Sequence, residues 1–213
     1  MSGVGPTGSI KPDNAMSPDP VSDHYTIGDL SERIFAALAA AGADVDNMTI
    51  DDLAPVDGFH IRGREATKEL LEWARIVADE HVLDAGCGIG GTSRYLADAT
   101  GCSVTGVDLT GEYIDVARLL SERVGLAEGV SFRQGSVLEL PFDDAAFDVA
   151  WTEHVQMNIA DKAGFYGELF RVLRPGGRLA FHDIFAGPEG EEYLPVPWAE
   201  KVSISHLIPI EAL

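Results

Sequence analysis

Val82-Leu83-Asp84-Ala85-Gly86-Cys87-Gly88-Ile89-Gly90-Gly91-Thr92 decides how this 213-residue chain is read. A short apolar run ends in a burst of glycines, and the residues that follow take up helical spacing. Glycine has no Cβ, so at a strand-to-helix turn it lets a ligand approach the backbone and the helix N-terminus. The stretch predicts a strand, a tight turn and a helix, with a nucleotide-like ligand at the turn. The kind of nucleotide stays open at this point, because Gly86, Gly88 and Gly91 also satisfy the dinucleotide pattern G-x-G-x-x-G. The next apolar run, Val104 to Asp108, ends in an acid about twenty residues further on, the spacing that brings a carboxylate to a ribose hydroxyl pair. Asp108 is therefore the ribose-binding candidate.

Beyond these two runs, short apolar segments keep alternating with helical ones, the pattern of a parallel sheet built from βαβ units. Strands are expected at His81 to Ala85, Ser103 to Asp108, Val130 to Gln134, Phe147 to Thr152 and Gly177 to Phe185. The best-defined helices are Gly91 to Ala99, Glu112 to Val124 and Lys162 to Leu173, the last ended by an Arg174-Pro175-Gly176-Gly177 turn. The fold class is a Rossmann-like, doubly wound α/β sheet, mainly parallel. In such sheets ligands bind beyond the carboxyl ends of the strands. There the fourth strand runs into Trp151-Thr152-Glu153-His154-Val155-Gln156-Met157-Asn158, the candidate active site.

Upstream, Asp29 or Ser31 caps an expected helix with Leu30, Ile34, Phe35 and Leu38 at helical spacing and Gly42 as its stop. Thr49 with Asp52 resembles a capping box, Pro55 and Gly58 are expected to break the chain, and Glu65 to Ala78 carries Leu70, Leu71, Ala74 and Val77 on one face. The first residues are rich in Gly, Pro, Ser and Asp and carry no signal layout. The expected division is a disordered tail over 1–24, a helical lid over 25–79 and a ligand-binding core over 80–213.

Thirty-five acidic against fifteen basic residues leave a formal charge of −20, and the mean hydropathy is +0.04. Such an acidic surface repels polyphosphates and anionic lipids, so neither nucleic acid nor membrane is expected as a partner. No apolar run reaches the ~20 residues of a membrane span, and a cytoplasmic location is expected. The two cysteines, Cys87 and Cys102, show no zinc spacing, and no metal site is expected.

The stretch Val82 to Gly90 resembles motif I of class I S-adenosylmethionine (SAM) dependent methyltransferases, and Asp84, two before the first glycine, separates it from nicotinamide enzymes. The resemblance continues through Gly135-Ser136-Val137, Leu140-Pro141-Phe142, Phe147-Asp148-Val149 and Arg171 to Gly177, covering about Glu65 to Ile184. It implies SAM as cofactor and S-adenosylhomocysteine as product. The methionine end of SAM would lie over Gly86, Cys87 and Gly88, with Glu153 facing it, the ribose on Asp108, and the adenine between Leu109 and Val137. Ser136 stands where the family often has Asp, so adenine binding is expected to lean on stacking and backbone amides.

For the acceptor, His154 is the candidate general base or carboxylate holder. Gln156 and Asn158 are candidates to orient it, Met157 to pack near the sulfonium methyl, and His182 to face it from the same rim. Tyr25 and Phe59-His60-Ile61-Arg62-Gly63-Arg64 resemble the N-terminal lid of small-molecule methyltransferases. Tyr25 joins His154 as a catalytic candidate, and Arg62 or Arg64 is the candidate for gripping a carboxylate. Trp151 to Asp161 and Pro195 to Trp198 look most like sarcosine and dimethylglycine N-methyltransferases, and are also similar to ubiquinone and menaquinone C-methyltransferases. The implied function is methyl transfer to a small molecule, with an amine of a glycine derivative as the finer expectation. Quinone C-methylation, a nicotinamide-dependent oxidoreductase and a noncatalytic SAM-binding protein are the alternatives. The resemblance also implies a terminal antiparallel strand pair, which the sequence does not show before Leu213. Either a truncated sequence or a homodimer across the fifth strand is expected.

Overall fold

The computed structural model describes residues 20–26, 28–188 and 192–213. Five strands form one all-parallel sheet in the order β3-β2-β1-β4-β5: β1 (His81–Ala85), β2 (Ser103–Asp108), β3 (Val130–Gln134), β4 (Phe147–Glu153) and β5 (Leu173–His182). The crossovers are α5 (Gly91–Thr100), α6 (Gly111–Arg123) and α7 (Lys162–Val172). The chain leaves β1 toward β3, then returns to lay β4 on the other side of β1. A crevice opens at that reversal.

Side chains alternate across each strand, and the two faces sort accordingly. Val82, Val104, Val149 and Trp151 pack with Leu96, Ala97 and Ala117 on one face. Leu83, Ala85, Val107 and Ala150 pack with Phe165, Leu169 and Val172 of α7 on the other. Four earlier helices, α1 (Pro20–Tyr25), α2 (Leu30–Ala40), α3 (Ile50–Asp57) and α4 (Arg64–Ala74), lie over the carboxyl-end side and the β5 side. Leu30, Ile34, Leu38 and Leu53 close a third cluster against Tyr113, Val116 and Leu120 of α6. No helix among the described residues is long and apolar enough to cross a membrane.

Several local expectations are corrected. The expected tail over 1–24 lies outside the described residues up to position 19, and its residues 20–24 belong to the helix Pro20–Tyr25. Neither Asp29 nor Ser31 caps α2. Asp29 adopts a left-handed φ of 54°, and the Glu112 carboxylate of α6 instead accepts the Gly28 and Leu30 N–H groups at 3.1 and 3.0 Å. Pro55 does not break the chain but sits inside α3. Thr49 and Asp52 do pair at its start, the Thr49 N–H donating to the Asp52 carboxylate at 2.8 Å. The helix expected to reach Ala78 stops at Ala74 because Arg75 turns left-handed, which leaves Val77 exposed. β5 begins earlier than expected, since Leu173 already pairs with Phe147 through a register shift, with Arg174 anchored on Asp148 at 2.7 Å. It ends at His182, where Asp183 turns to accept the N–H groups of Val155 and Gln156 at 3.0 and 2.9 Å.

Candidate active site

A cavity of about 500 Å³ occupies the crevice at the ends of β1, β2 and β4. Its floor on one side is the glycine turn. Gly86 and Cys87 donate their N–H groups to Val107 O at 2.7 and 3.0 Å, which bends the chain sharply out of β1. Gly86 holds φ at 80°, and a Cβ there would stand 2.2 Å from Val155 Cγ2, so only glycine lets the loop after β4 pack so closely. Gly88 is also left-handed at 53°, but its Cβ direction is open space. It borders the cavity.

Asp108 closes this half. One carboxylate oxygen accepts the Gly88 N–H at 2.9 Å and the other the Thr110 N–H at 2.8 Å. Burial pushes its pKa up, and the hydrogen-bond donors around it oppose that shift. A carboxylate has about four lone-pair sites, and the Thr110 side chain and Leu109 backbone also contribute to holding this one, at the cavity edge. Leu109, Ser136 and Val137 border the cavity beside it, and Cys87 lines it as a buried thiol pushed well up by burial. Ser136 Oγ accepts the Leu138 N–H at 3.1 Å, leaving its own proton to donate.

Asp84 lies beneath the turn, buried, and accepts the Ser93 hydroxyl at 2.6 Å. Burial lifts its pKa from 3.8 to about 7, the Ser93 hydrogen bond opposes the rise, and the charges of Glu153 and Asp108 add to it. A carboxyl that is harder to ionise when folded binds more protons in the native state, so stability falls as pH rises between the two values. We expect resistance to urea to decline from pH 4 to pH 7 more steeply in the parent than in Asp84→Asn. Parallel curves for the two proteins would remove Asp84 as the source.

The other half of the cavity is built around Glu153 at the end of β4. Its buried carboxylate accepts the Thr92 hydroxyl at 2.8 Å, the Trp151 indole N–H at 3.1 Å and the Thr67 hydroxyl at 3.1 Å. His154 follows with a left-handed φ of 54°, its N–H bonded to His182 O at 2.9 Å. Its Nε2 is buried with no hydrogen-bond partner. Burial lowers its pKa to about 4, helped by the neighbouring His182 and His60. The three imidazoles cluster, with ring centroids 5.1 Å apart for His154 and His182 and 5.8 Å apart for His60 and His154.

Tyr25 reaches over the cavity from α1 and donates its hydroxyl to Asn158 Oδ1 at 3.1 Å. Burial, then the Asp108 charge, raises its pKa to about 12. The Asn158 amide nitrogen donates to Trp198 O at 2.9 Å and Ile204 O at 2.7 Å.

Gly86, Cys87, Gly88, Asp108, Leu109, Ser136, Val137, Glu153, His154, Tyr25, Met157 and Asn158 thus all border one cavity. Three expected acceptor contacts do not. Gln156 is fully buried and its amide donates to Ile184 O at 2.5 Å, so it ties the β4 loop to the segment after β5. Arg62 points outward and grips Glu69, with Nη1 to Oε2 at 2.8 Å; its partner Arg64 is bonded to Asp51 at 2.8 Å. His182 stands behind His154 rather than in the wall. His60 and Thr67 were not singled out from the sequence, because nothing in their spacing links the region around α4 to β4.

Residues 83–181 match the family model described as a methyltransferase domain. The chain is 34% identical over 165 residues to methyltransferase GfsG of Streptomyces halstedii, covering 77% of this chain and 57% of that protein. It is 42% identical over 117 residues to a probable chloroplastic tocopherol O-methyltransferase of Oryza sativa subsp. japonica, covering 53% of this chain and 32% of that one. The chain therefore spans about half the length of these relatives, or less. In three dimensions it is similar to the [4+2]-cyclase SpnF, with a TM-score of 0.66 at 22% identity over 90% of this chain and 67% of that one, a likeness of fold.

Proposed function

We propose that the protein is a SAM-dependent methyltransferase acting on a small molecule with an apolar body and a polar reacting end, a reading that the match of residues 83–181 to a methyltransferase-domain model supports. The observation that carries this reading is the division of the cavity wall. Away from the glycine turn the cavity is lined by Phe59, Met157, Ile159, Trp198 and Ile204, and the polar groups gather at His60, Glu153 and His154. Apolar walls with a few convergent polar groups are what a small hydrophobic ligand requires for burial and orientation.

The donor half fits SAM. The open space over Gly88 admits a ligand against the backbone, Asp108 presents its carboxylate at the cavity edge to a ribose, and Leu109 and Val137 flank room for a base. SAM, when bound, supplies an electrophilic methyl group on a sulfonium. The chain's part is to hold the acceptor in line, exclude water under Tyr25 and Trp198, and take a hydrogen bond at His154.

The finer expectation, methylation of sarcosine or dimethylglycine, requires a cation for the acceptor's carboxylate. Among the described residues no lysine or arginine lines the cavity, so the apolar walls favour the quinol-like alternative. Incubation with methyl-labelled SAM and a panel of quinols, phenols, amines and amino acids tests this. Label is expected in a ring-bearing acceptor, with matching S-adenosylhomocysteine. Label confined to sarcosine or dimethylglycine would reverse the choice of acceptor, and no S-adenosylhomocysteine with any acceptor would end the methyltransferase reading.

A further inference from the structure

Glu153 sits between two imidazoles contributed by distant parts of the chain, His60 from the loop before α4 and His182 from the end of β5. One ligand atom from each of the three lies within 4.8 Å of the other two. His60 Nε2 is 3.7 Å from one carboxylate oxygen and His182 Nδ1 is 4.0 Å from the other. The His60 and Glu153 side chains are only 9% and 4% exposed. Thr67, Thr92 and Trp151 satisfy one side of the carboxylate, yet no lysine or arginine pairs with it among the described residues. His182 Nδ1 is buried and has no hydrogen-bond partner. His60 Nε2 has the Thr67 hydroxyl as a neutral partner at 3.3 Å, and a buried anion faced by two imidazole nitrogens, with no lysine or arginine among the described residues beside it, is an arrangement that a cation completes.

We propose that His60 Nε2, the Glu153 carboxylate and His182 Nδ1 form a binding site for a divalent first-row transition metal ion, with Zn²⁺ as its best occupant. Two imidazoles and one carboxylate are zinc ligands, and three protein ligands leave a fourth position open. Zinc bonds of about 2.0–2.2 Å at tetrahedral angles hold ligand atoms roughly 3.4 Å apart, so the imidazoles, now 3.7 and 4.0 Å from the carboxylate and within 4.8 Å of one another, close on the ion by a few tenths of an ångström to about an ångström or more. The hydroxyls of Thr67 and Thr92 and the indole of Trp151 keep the carboxylate aimed, the supporting role that outer contacts play around metal ligands. Calcium and magnesium are poor candidates, because both prefer shells made of oxygen.

His60 and Glu153 border the cavity, so the open position faces the acceptor. An oxygen of the acceptor fills it, a clause that rests on the methyltransferase reading above. Metal binding itself does not rest on that reading.

The test uses the full chain, stripped with chelator and dialysed against Zn²⁺ or Co²⁺. One equivalent of Zn²⁺ is expected by elemental analysis, together with a raised thermal midpoint. Co²⁺ is expected to give visible d–d bands of a low-coordinate nitrogen and oxygen site, without the thiolate charge-transfer band that Cys87 or Cys102 would add. His60→Gln and His182→Gln keep much of the side-chain volume and are each expected to weaken Zn²⁺ binding by about 100-fold or more, since even outer-contact changes cost 10–100-fold. Circular dichroism verifies that both are folded. Failure of the parent to retain Zn²⁺ overturns the site, as does a Co²⁺ spectrum showing six-coordinate or thiolate ligation. Equal retention by the parent and the folded double variant overturns it too. Stoichiometric Zn²⁺ with no S-adenosylhomocysteine from any acceptor would uphold the metal site and defeat the methyl-transfer reading alone.

Discussion

Asp57→Ala is expected to lower the free energy of unfolding by about 3–5 kcal/mol, the range for breaking a buried ion pair by removing one partner. Arg94 of α5 is fully buried, and its guanidinium bonds Asp57 Oδ1 at 2.5 Å, with Ile89 O at 2.9 Å and Ala117 O at 3.3 Å as further acceptors. Burial pulls the guanidinium down and the Asp57 carboxyl up, while their mutual attraction holds both charged. Losing the carboxylate strands a positive charge among apolar helices, and Arg64, 3.8 Å from Asp57, loses a partner too. The damage reaches the donor site, because Arg94 secures the carbonyl of Ile89 inside the glycine turn. Asp57→Leu with Arg94→Met is expected to recover much of the loss, since an apolar pair of similar volume needs no desolvation. Urea unfolding of the parent and the two variants measures this. A single variant within about 1 kcal/mol of the parent would show that water already screens the pair.

Asp108→Ala is expected to weaken SAM binding by about 1–3 kcal/mol, a loss of roughly 5- to 150-fold, as charge-assisted hydrogen bonds to the ribose disappear. Part of the loss is indirect. The same carboxylate holds the Gly88 and Thr110 N–H groups, so removing it also frees the turn that must lie under the ligand. Asp108→Asn separates the two contributions, because its amide keeps one backbone bond and opposes the other. It is expected to fall between the parent and the alanine variant. Calorimetric titration with SAM reads the affinities, and unchanged binding in the alanine variant would take Asp108 out of the ribose site.

The donor half was legible because its parts are local. Residues 82–92 carry the turn, Asp108 follows at a spacing fixed by one helix and one strand, and 135–137 close the rim. Strand positions were legible for the same reason, since a short apolar run between helical stretches needs no distant partner. The acceptor half is assembled across the whole chain. Glu153 meets Thr67 over 86 positions, and no local pattern encodes that meeting. Gln156 and Arg62 were misread in one way: a polar side chain near a site was taken to face a ligand. Gln156 instead meets a backbone carbonyl from the last segment, and Arg62 a glutamate two helical turns away. The zinc proposal belongs to the same class, because its three donors arise from three unconnected segments.

Asn158 binds the tyrosine of α1 with one end of its amide and the backbone of the 198–204 segment with the other. One side chain therefore serves as a shared clasp for flaps from opposite ends of the chain. Each flap is fastened separately to the same residue of the loop after β4. Loss of that one side chain would therefore remove a tether from both flaps at once.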